Sequence, residues 1–414
     1  MPQPLPPAER DPWPAFLRTM AWIGVNSFGG PVAQIGVMRE IAVEQRRWLS
    51  DAEFLNVMSF ANALPGPEAL EIVIHLGRLR RGIAGGIVAG LLFIAPGFLS
   101  LAGLAFVYQT WGQLPAIEGF LDGVRPVAAA LVVFAVLRLA GKALRGWPAF
   151  GLMLAAFAAH GLGGVPFVPL LLGCGVVGVL LAAQRRKLEE RQAPTWAVLA
   201  LVAGALALGW ALGGASQPAA LAPPRAHAEV LPLPSLDPGA DRLWAIAWVE
   251  LQAALVTFGG AYTLLPFLRE QMVDVHGWVT DVQVMDALAL GETTPGPLVS
   301  VGVFLAWLAG GPLAALVGGF FLFLPSFVLV LGLGRHAARV DALPGSRDFL
   351  WGVSAGTMGL ILALSSQIVP AGLRSPWQIG LAVGAFLAVW RMRVEALPVV
   401  LVGGLLGIAS RWLG

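Results

Sequence analysis

The chain has 414 residues, of which 57% are hydrophobic and only 12% charged, about half the charged fraction of a soluble domain. Its 26 basic and 24 acidic residues leave a net charge of +2, which excludes a strongly basic nucleic-acid binder. The lone Cys174 excludes an internal disulfide, and five scattered histidines give no metal-ligand spacing.

Residues 1–12 are Pro-rich and polar and lack the basic-then-apolar order of a signal peptide, so they read as a disordered tail. An apolar stretch from about residue 13 ends at Phe28-Gly29-Gly30. Residues 32–47 carry Gln34, Arg39, Glu40, Glu44, Gln45, Arg46 and Arg47 and are too polar to face lipid. Ser50 predicts the N-cap of a helix that runs from Asp51 to Pro65-Gly66-Pro67. Residues 67–81 end in Arg78, Arg80 and Arg81, and spans follow at 83–110 and 117–140. Shorter apolar stretches at 147–160 and 165–184 precede Arg185, Arg186, Lys187 and Arg191. A further span is predicted at 196–213, then a Pro- and Ala-rich linker at 214–240. The expected organisation is a tail (1–12), a first repeat (13–191), a linking helix and linker (192–240) and a second repeat (241–414). The expected fold is an all-α polytopic membrane protein with about 10–13 membrane segments.

The repeat is visible directly. An offset of 230 residues aligns Phe28-Gly29-Gly30 with Phe258-Gly259-Gly260, Arg39-Glu40 with Arg269-Glu270, Trp48 with Trp278, Asp51 with Asp281, and Pro65-Gly66-Pro67 with Pro295-Gly296-Pro297. Loop charges alternate oppositely in the two copies. The first is basic at 78–81, 138–145 and 185–191 and neutral at 111–116 and 161–164. The second is neutral at 309–312 and basic at Arg335, Arg339, Arg347, Arg391 and Arg393. Because basic loops stay cytoplasmic, the repeats are expected to be inverted, with a site between them near the bilayer midplane. A parallel duplication with uninformative loop charges is the alternative.

Each copy holds a polar segment between two helix breakers. Gly and Pro free backbone groups that hydrocarbon cannot satisfy, so the breaks are either surface loops or broken, re-entrant helices whose positive ends face the interior and favour anions. Two copies flanking the same Arg-Glu pair favour the second reading. Arg39 and Arg269 are the leading substrate-binding candidates, since a guanidinium offers a fork of donors to an oxyanion; pairing with a carboxylate or snorkelling is the alternative for each. The breaks themselves, Phe28, Gly29, Gly30, Phe258, Gly259, Gly260, Pro65, Gly66, Pro67, Pro295, Gly296 and Pro297, and the hydroxyls of Thr293 and Thr294 complete that set. Glu40, Glu270, Glu68, Glu71 and Glu292 are candidates for proton or ion coupling, with Arg125 a further embedded charge that Asp122 could neutralise. No Walker A loop, Ser-His-Asp set or HExxH motif occurs, so neither an enzyme nor a cofactor or metal is expected.

These motifs together resemble the chromate ion transporter family, in its long form with two fused domains. The resemblance rests on Phe28–Pro31, Arg39-Glu40, Trp48 and Pro65–Pro67 and their second copies, with Ala261 departing from Pro31. It implies a multi-pass bacterial inner-membrane protein that exports chromate and confers resistance, driven by the proton gradient or membrane potential. Sulfate, of the same shape and charge, is the expected competitor. Its partners would be chromate, a coupling ion and the lipid bilayer; a homodimer is compatible with the sequence, though no residue argues for one. Transport of another oxyanion, import, a passive anion channel and a membrane scaffold are the rival readings.

Overall fold

The computed structural model describes residues 11–144, 146–182, 204, 239–258, 261–333, 345–373 and 375–413. The expected tail, nearly all of the linking helix and linker, Gly259, Gly260, Arg335 and Arg339 lie outside them. The regular structure of the described residues is entirely helical. From the first repeat come α1 (Trp13–Asn26), α2 (Gly30–Arg39), α3 (Asp51–Asn62), α4 (Glu68–Trp111), α5 (Pro115–Ala143), α6 (Trp147–Gly161) and α7 (Phe167–Leu180). From the second come α8 (Ala240–Val256), α9 (Leu264–Arg269), α10 (Asp281–Gly291), α11 (Val301–Leu333), α12 (Ser346–Gly372), α13 (Pro376–Met392) and α14 (Ala396–Leu413). Glu68–Trp111, Pro115–Gly141, Leu298–Leu333 and Ser346–Pro370 are long and apolar enough to cross a membrane, and Phe167–Leu180 and Ala396–Trp412 are shorter apolar helices.

Two of the long helices are folded back on themselves. In α4 the backbone leaves helical geometry at Arg81 and Gly82, and in α11 at Gly310 and Gly311. Gly82 and Gly311 have positive φ, which a side chain would resist. Beyond each break the chain returns along itself. A Cβ built at Gly90 would lie 2.8 Å from Ile74 Cγ1, and one at Gly319 would lie 3.2 Å from Val303 Cγ2. On a straight helix those residues would be more than roughly 20 Å apart. Each helix is therefore a hairpin, with limbs 68–80 and 83–111 in α4 and 301–309 and 312–333 in α11. The limb 68–80 is about 20 Å long, too short to cross a hydrocarbon core of about 30 Å, which matches the expected broken helices. Glycines line the seam because only they let the limbs approach: Gly77 meets the Gly85 carbonyl directly.

The chain forms two compact units that do not follow the repeats. One comprises 1–104, 238–264 and 290–346; the other comprises 105–237, 265–289 and 347–414. Each takes helices from both repeats. In the second unit, Gly123 of α5 packs on the backbone of Gly403 and Gly407 of α14, while Gly352 of α12 packs on Cys174 and Gly178 of α7. Gly123 and Gly352 are repeat equivalents, and so are Cys174 and Gly403, and Gly178 and Gly407. The core helix of each repeat is thus clasped by the last helix of the other, the reciprocity that a two-fold relation produces.

The polar segment after each Gly-Gly break also repeats. Residues Glu40–Gln45 and Glu270–Val275 both form a π-helical turn. Each ends with a residue of positive φ at the equivalent position, Arg47 and Gly277. Ser50 then caps α3, accepting from Glu53 N at 3.3 Å, while Glu53 Oε2 accepts from Ser50 N at 2.8 Å, a capping box that confirms the predicted helix start.

Candidate functional site

The breaks of the two repeats meet each other inside the first compact unit. Ser27 and Thr257 are the C-caps of α1 and α8, one residue before each Phe-Gly-Gly. Both hydroxyls bond back into their own helix, Ser27 Oγ to the Ile23 carbonyl at 2.6 Å and Thr257 Oγ1 to the Ala253 carbonyl at 2.7 Å. Their main-chain carbonyls face outward instead. The Gly296 N–H donates to the Ser27 carbonyl at 2.9 Å, and the Gly66 N–H donates to the Thr257 carbonyl at 2.8 Å. The Pro-Gly-Pro of each repeat therefore satisfies the helix end of the other. Positive φ at Gly29, Gly30, Gly66 and Gly296 makes these turns.

The middle of each long helix closes over the crossing. A Cβ at Gly97 would lie 2.5 Å from the Pro295 carbonyl and 3.3 Å from Ser300 Oγ; one at Gly66 would lie 2.5 Å from both Glu71 Oε1 and Ser326 Oγ. Gly97 and Ser326 follow Pro96 and Pro325, which lie inside the second limbs of α4 and α11. Pro96 leaves the Leu92 carbonyl without its helical partner, and α1 approaches that carbonyl through Gly24, where no side chain intervenes.

The two sides are chemically unequal. On the first, the helix beginning after Pro67 carries Glu68 and Glu71 in its first turn, so acidic side chains already occupy its positive end. Glu71 Oε1 accepts a long 3.4 Å bond from Ser326 Oγ, its Oε2 has no partner among the described residues, and neither has either ring nitrogen of His75, one turn further on. On the second side, the helical turn Leu298–Ser300 after Pro297 has no acidic residue. Ser300 is fully buried and its hydroxyl has no partner among the described residues. Gln34 Nε2 clamps this side, donating to the Gly296 carbonyl at 2.6 Å and to the Ser27 carbonyl at 3.3 Å. Nearby in sequence, buried Glu292 accepts from the Tyr262 hydroxyl. Thr293 and Thr294 spend their hydroxyl protons on the carbonyls of Leu290 and Gly291, at 2.7 and 2.9 Å, finishing α10.

The other candidates are engaged elsewhere. Arg39 is 44% exposed and bridges Glu44 and Asp51, each at 2.6 Å. Arg269, in the second unit, repeats this with Asp274 and with Asp281 at 2.7 Å. Each guanidinium thus ties its π-helical turn to the start of the following helix, and binding an anion would require those ion pairs to open. Glu40 is exposed and accepts from Gln45 at 2.9 Å. Glu270 accepts the Phe167 N–H at 2.9 Å and lies 3.8 Å from His160 Nδ1, so it caps α7. Arg125 reaches Asp122 at 2.9 Å, as expected, but is also held by both oxygens of Asp286 at 2.7 and 2.9 Å. Tyr108 donates to the same carboxylate at 2.9 Å. Neither Asp286 nor Gln34 stands out in sequence, because their repeat equivalents are Asn56 and Leu264.

An all-helical membrane protein whose two repeats interlock through broken helices has the architecture of a transport protein. The chain belongs to the chromate transporter family, whose model matches residues 14–179 and 244–408. It is 34% identical to the chromate transport protein of Pseudomonas aeruginosa, over 95% of this chain and 92% of that one. It is 26% identical to the chromate transport protein of Cupriavidus metallidurans (90% and 85% covered) and 25% identical to the probable chromate transport protein of Synechococcus elongatus (94% and 87% covered). These relatives are named as transport proteins, not enzymes. No solved structure matches the chain.

Proposed function

We propose that the chain exports chromate across the bacterial inner membrane, driven by the proton gradient or membrane potential, and so confers chromate resistance. The observation that carries this reading is the crossing of the Gly-Gly and Pro-Gly-Pro breaks. It brings together the helix starts after Pro67 and Pro297 and a buried hydroxyl, Ser300, that has no partner among the described residues, the chemistry that suits a tetrahedral dianion. Chromate is named as the substrate because three relatives carry that name. The seat is on the Ser300 side, where the turn after Pro297 carries no carboxyl and the Ser300 hydroxyl has no partner among the described residues, whereas Glu68 and Glu71 already occupy the first turn on the other side. Binding there would favour a proton on Glu292, the nearest carboxyl in sequence.

Chromate uptake into everted inner-membrane vesicles tests this. Energised vesicles are expected to accumulate chromate, with sulfate competing. Movement of sulfate or molybdate without chromate would assign another oxyanion. Chromate movement that survives collapse of both the pH gradient and the potential would make the protein a passive channel. Replacing Arg39 and Arg269 together with Gln tests whether either reaches the anion; undiminished uptake would remove them from the site.

A further inference from the structure

Glu250 is a charged-type side chain with no exposure at all, and neither carboxyl oxygen has a partner among the described residues. It projects from α8 into the seam between the two limbs of α11. A Cβ at Gly302, on the first limb, would lie 2.6 Å from Oε2 and 2.9 Å from Oε1; one at Gly318, on the second limb, would lie 3.3 Å from the Glu250 Cγ. The seat is thus a cradle that two glycines leave open. The same two positions are lined by apolar side chains: Leu322 lies 3.0 Å from a Cβ at Gly302, and Ala306 and Ile246 lie 3.0 and 3.2 Å from one at Gly318. Residues 298–333 contain no titratable side chain, and on α8 itself only Asp241 and Arg242 do, more than two turns upstream. No charge faces Glu250 from either limb.

An ionised carboxyl in such a seam carries a large desolvation cost. A neutral one fits it closed. The seam also lies where its opening would be felt at the crossing. Two turns beyond Glu250, α8 ends at Thr257, whose carbonyl holds Gly66, and the first limb of α11 follows directly from Pro297 and Ser300.

We propose that Glu250 is a proton-binding site that couples the proton gradient to opening and closing of the α8–α11 seam. When the seam opens to water on one side, the Glu250 O–H bond breaks and the proton passes to water. The carboxylate takes up a proton again when the seam opens to water on the other side, and the neutral carboxyl lets the seam close. The inference rests on the transport reading above and assigns the transmembrane passage of the proton to Glu250, with Glu292 responding to the anion at its seat.

The test uses the full chain in proteoliposomes, with chromate as the probe. With the membrane potential held at zero, one proton carried per chromate gives about tenfold chromate accumulation for a one-unit pH difference. Glu250→Gln is expected to abolish that accumulation, to a ratio of about one, while retaining chromate exchange at equal pH. Glu250→Asp, which keeps the carboxyl, is expected to accumulate chromate with a shifted pH midpoint. Accumulation by Glu250→Gln equal to that of the unaltered protein would overturn the assignment, as would loss of exchange along with accumulation. Infrared titration of the chromate-free protein is an independent readout. A protonated-carboxyl band that titrates with pH and is missing in Glu250→Gln is expected, and its absence from the unaltered protein would overturn the proposal. If the unaltered protein exchanges no chromate, the transport reading fails, and the infrared band still decides whether Glu250 binds a proton.

Discussion

Ser300 and Ser50 show how a single hydroxyl gains its meaning from where a helix begins. Ser50 is spent on structure. With its N–H and O–H both donating to Glu53 Oε2, it holds the Glu53 carboxyl below the usual carboxylate range, the backbone bond contributing most. A lowered carboxylate stabilises the fold above the range where it titrates when unfolded, and that contribution disappears as pH falls through the lowered folded value. Ser50→Ala should therefore cost about 1 kcal/mol near neutral pH and less in acid, read from thermal unfolding in detergent across that range. The Ser300 hydroxyl has no bond to lose among the described residues. Ser300→Ala should leave thermal stability unchanged and raise the KM for chromate roughly tenfold or more, the loss of one charge-assisted hydrogen bond, in vesicle uptake at varied chromate. An unchanged KM would move the anion off this side of the crossing.

Between helices, the buried charges report which contacts are structural. Arg125 and Asp286 tie α5 to α10 in a site where Asp286 is wholly buried. Removing one partner strands a charge, whereas removing both does not. Arg125→Met should destabilise the protein by about 3–5 kcal/mol, and Arg125→Met with Asp286→Leu should recover most of that, by thermal unfolding in detergent. Arg269 and Asp281 form a counterpart that is partly exposed on the Asp281 side. The cycle of Arg269→Gln and Asp281→Asn should give a coupling of about 1 kcal/mol in the same assay. A coupling near zero would free Arg269 from its role as a tie and strengthen its candidacy as an anion ligand.

Across the whole molecule, each repeat lacks what the other provides. A first repeat expressed alone leaves the Gly66 N–H without the Thr257 carbonyl, and a buried unpaired donor costs about 1–3 kcal/mol. The helices α5 and α12 would also lose their clasping partners. Separate halves, 1–191 and 192–414, should each be degraded when expressed singly and should co-purify and take up chromate when expressed together. Stable accumulation of a single half would argue against the interlock. The duplication, the broken helices and the cap at Ser50 are legible in the sequence because each is signalled by residues close together in the chain. The crossing is not, because Gly66–Thr257 and Gly296–Ser27 join backbone groups, which carry no residue-type signal. Gln34 and Asp286 hide behind apolar or neutral equivalents, and Glu250 lies outside the repeated motif, opposite Met20 in the other copy. Arg39 and Arg269 attract notice as charges in a membrane protein, yet their carboxylate partners twelve residues on become apparent only once the π-helical turns bring them back.

The reciprocal bonds at the crossing also set a schedule for synthesis. Pro65-Gly66-Pro67 leaves the ribosome long before Thr257 exists. At about 5–20 residues per second, the open break waits roughly 10–40 s for its acceptor. During that interval the half-helix beginning at Glu68 cannot rest in lipid with its end unsatisfied. The nascent first repeat must be sheltered at a wet or proteinaceous site, so its release from the insertion machinery is timed by translation of the second.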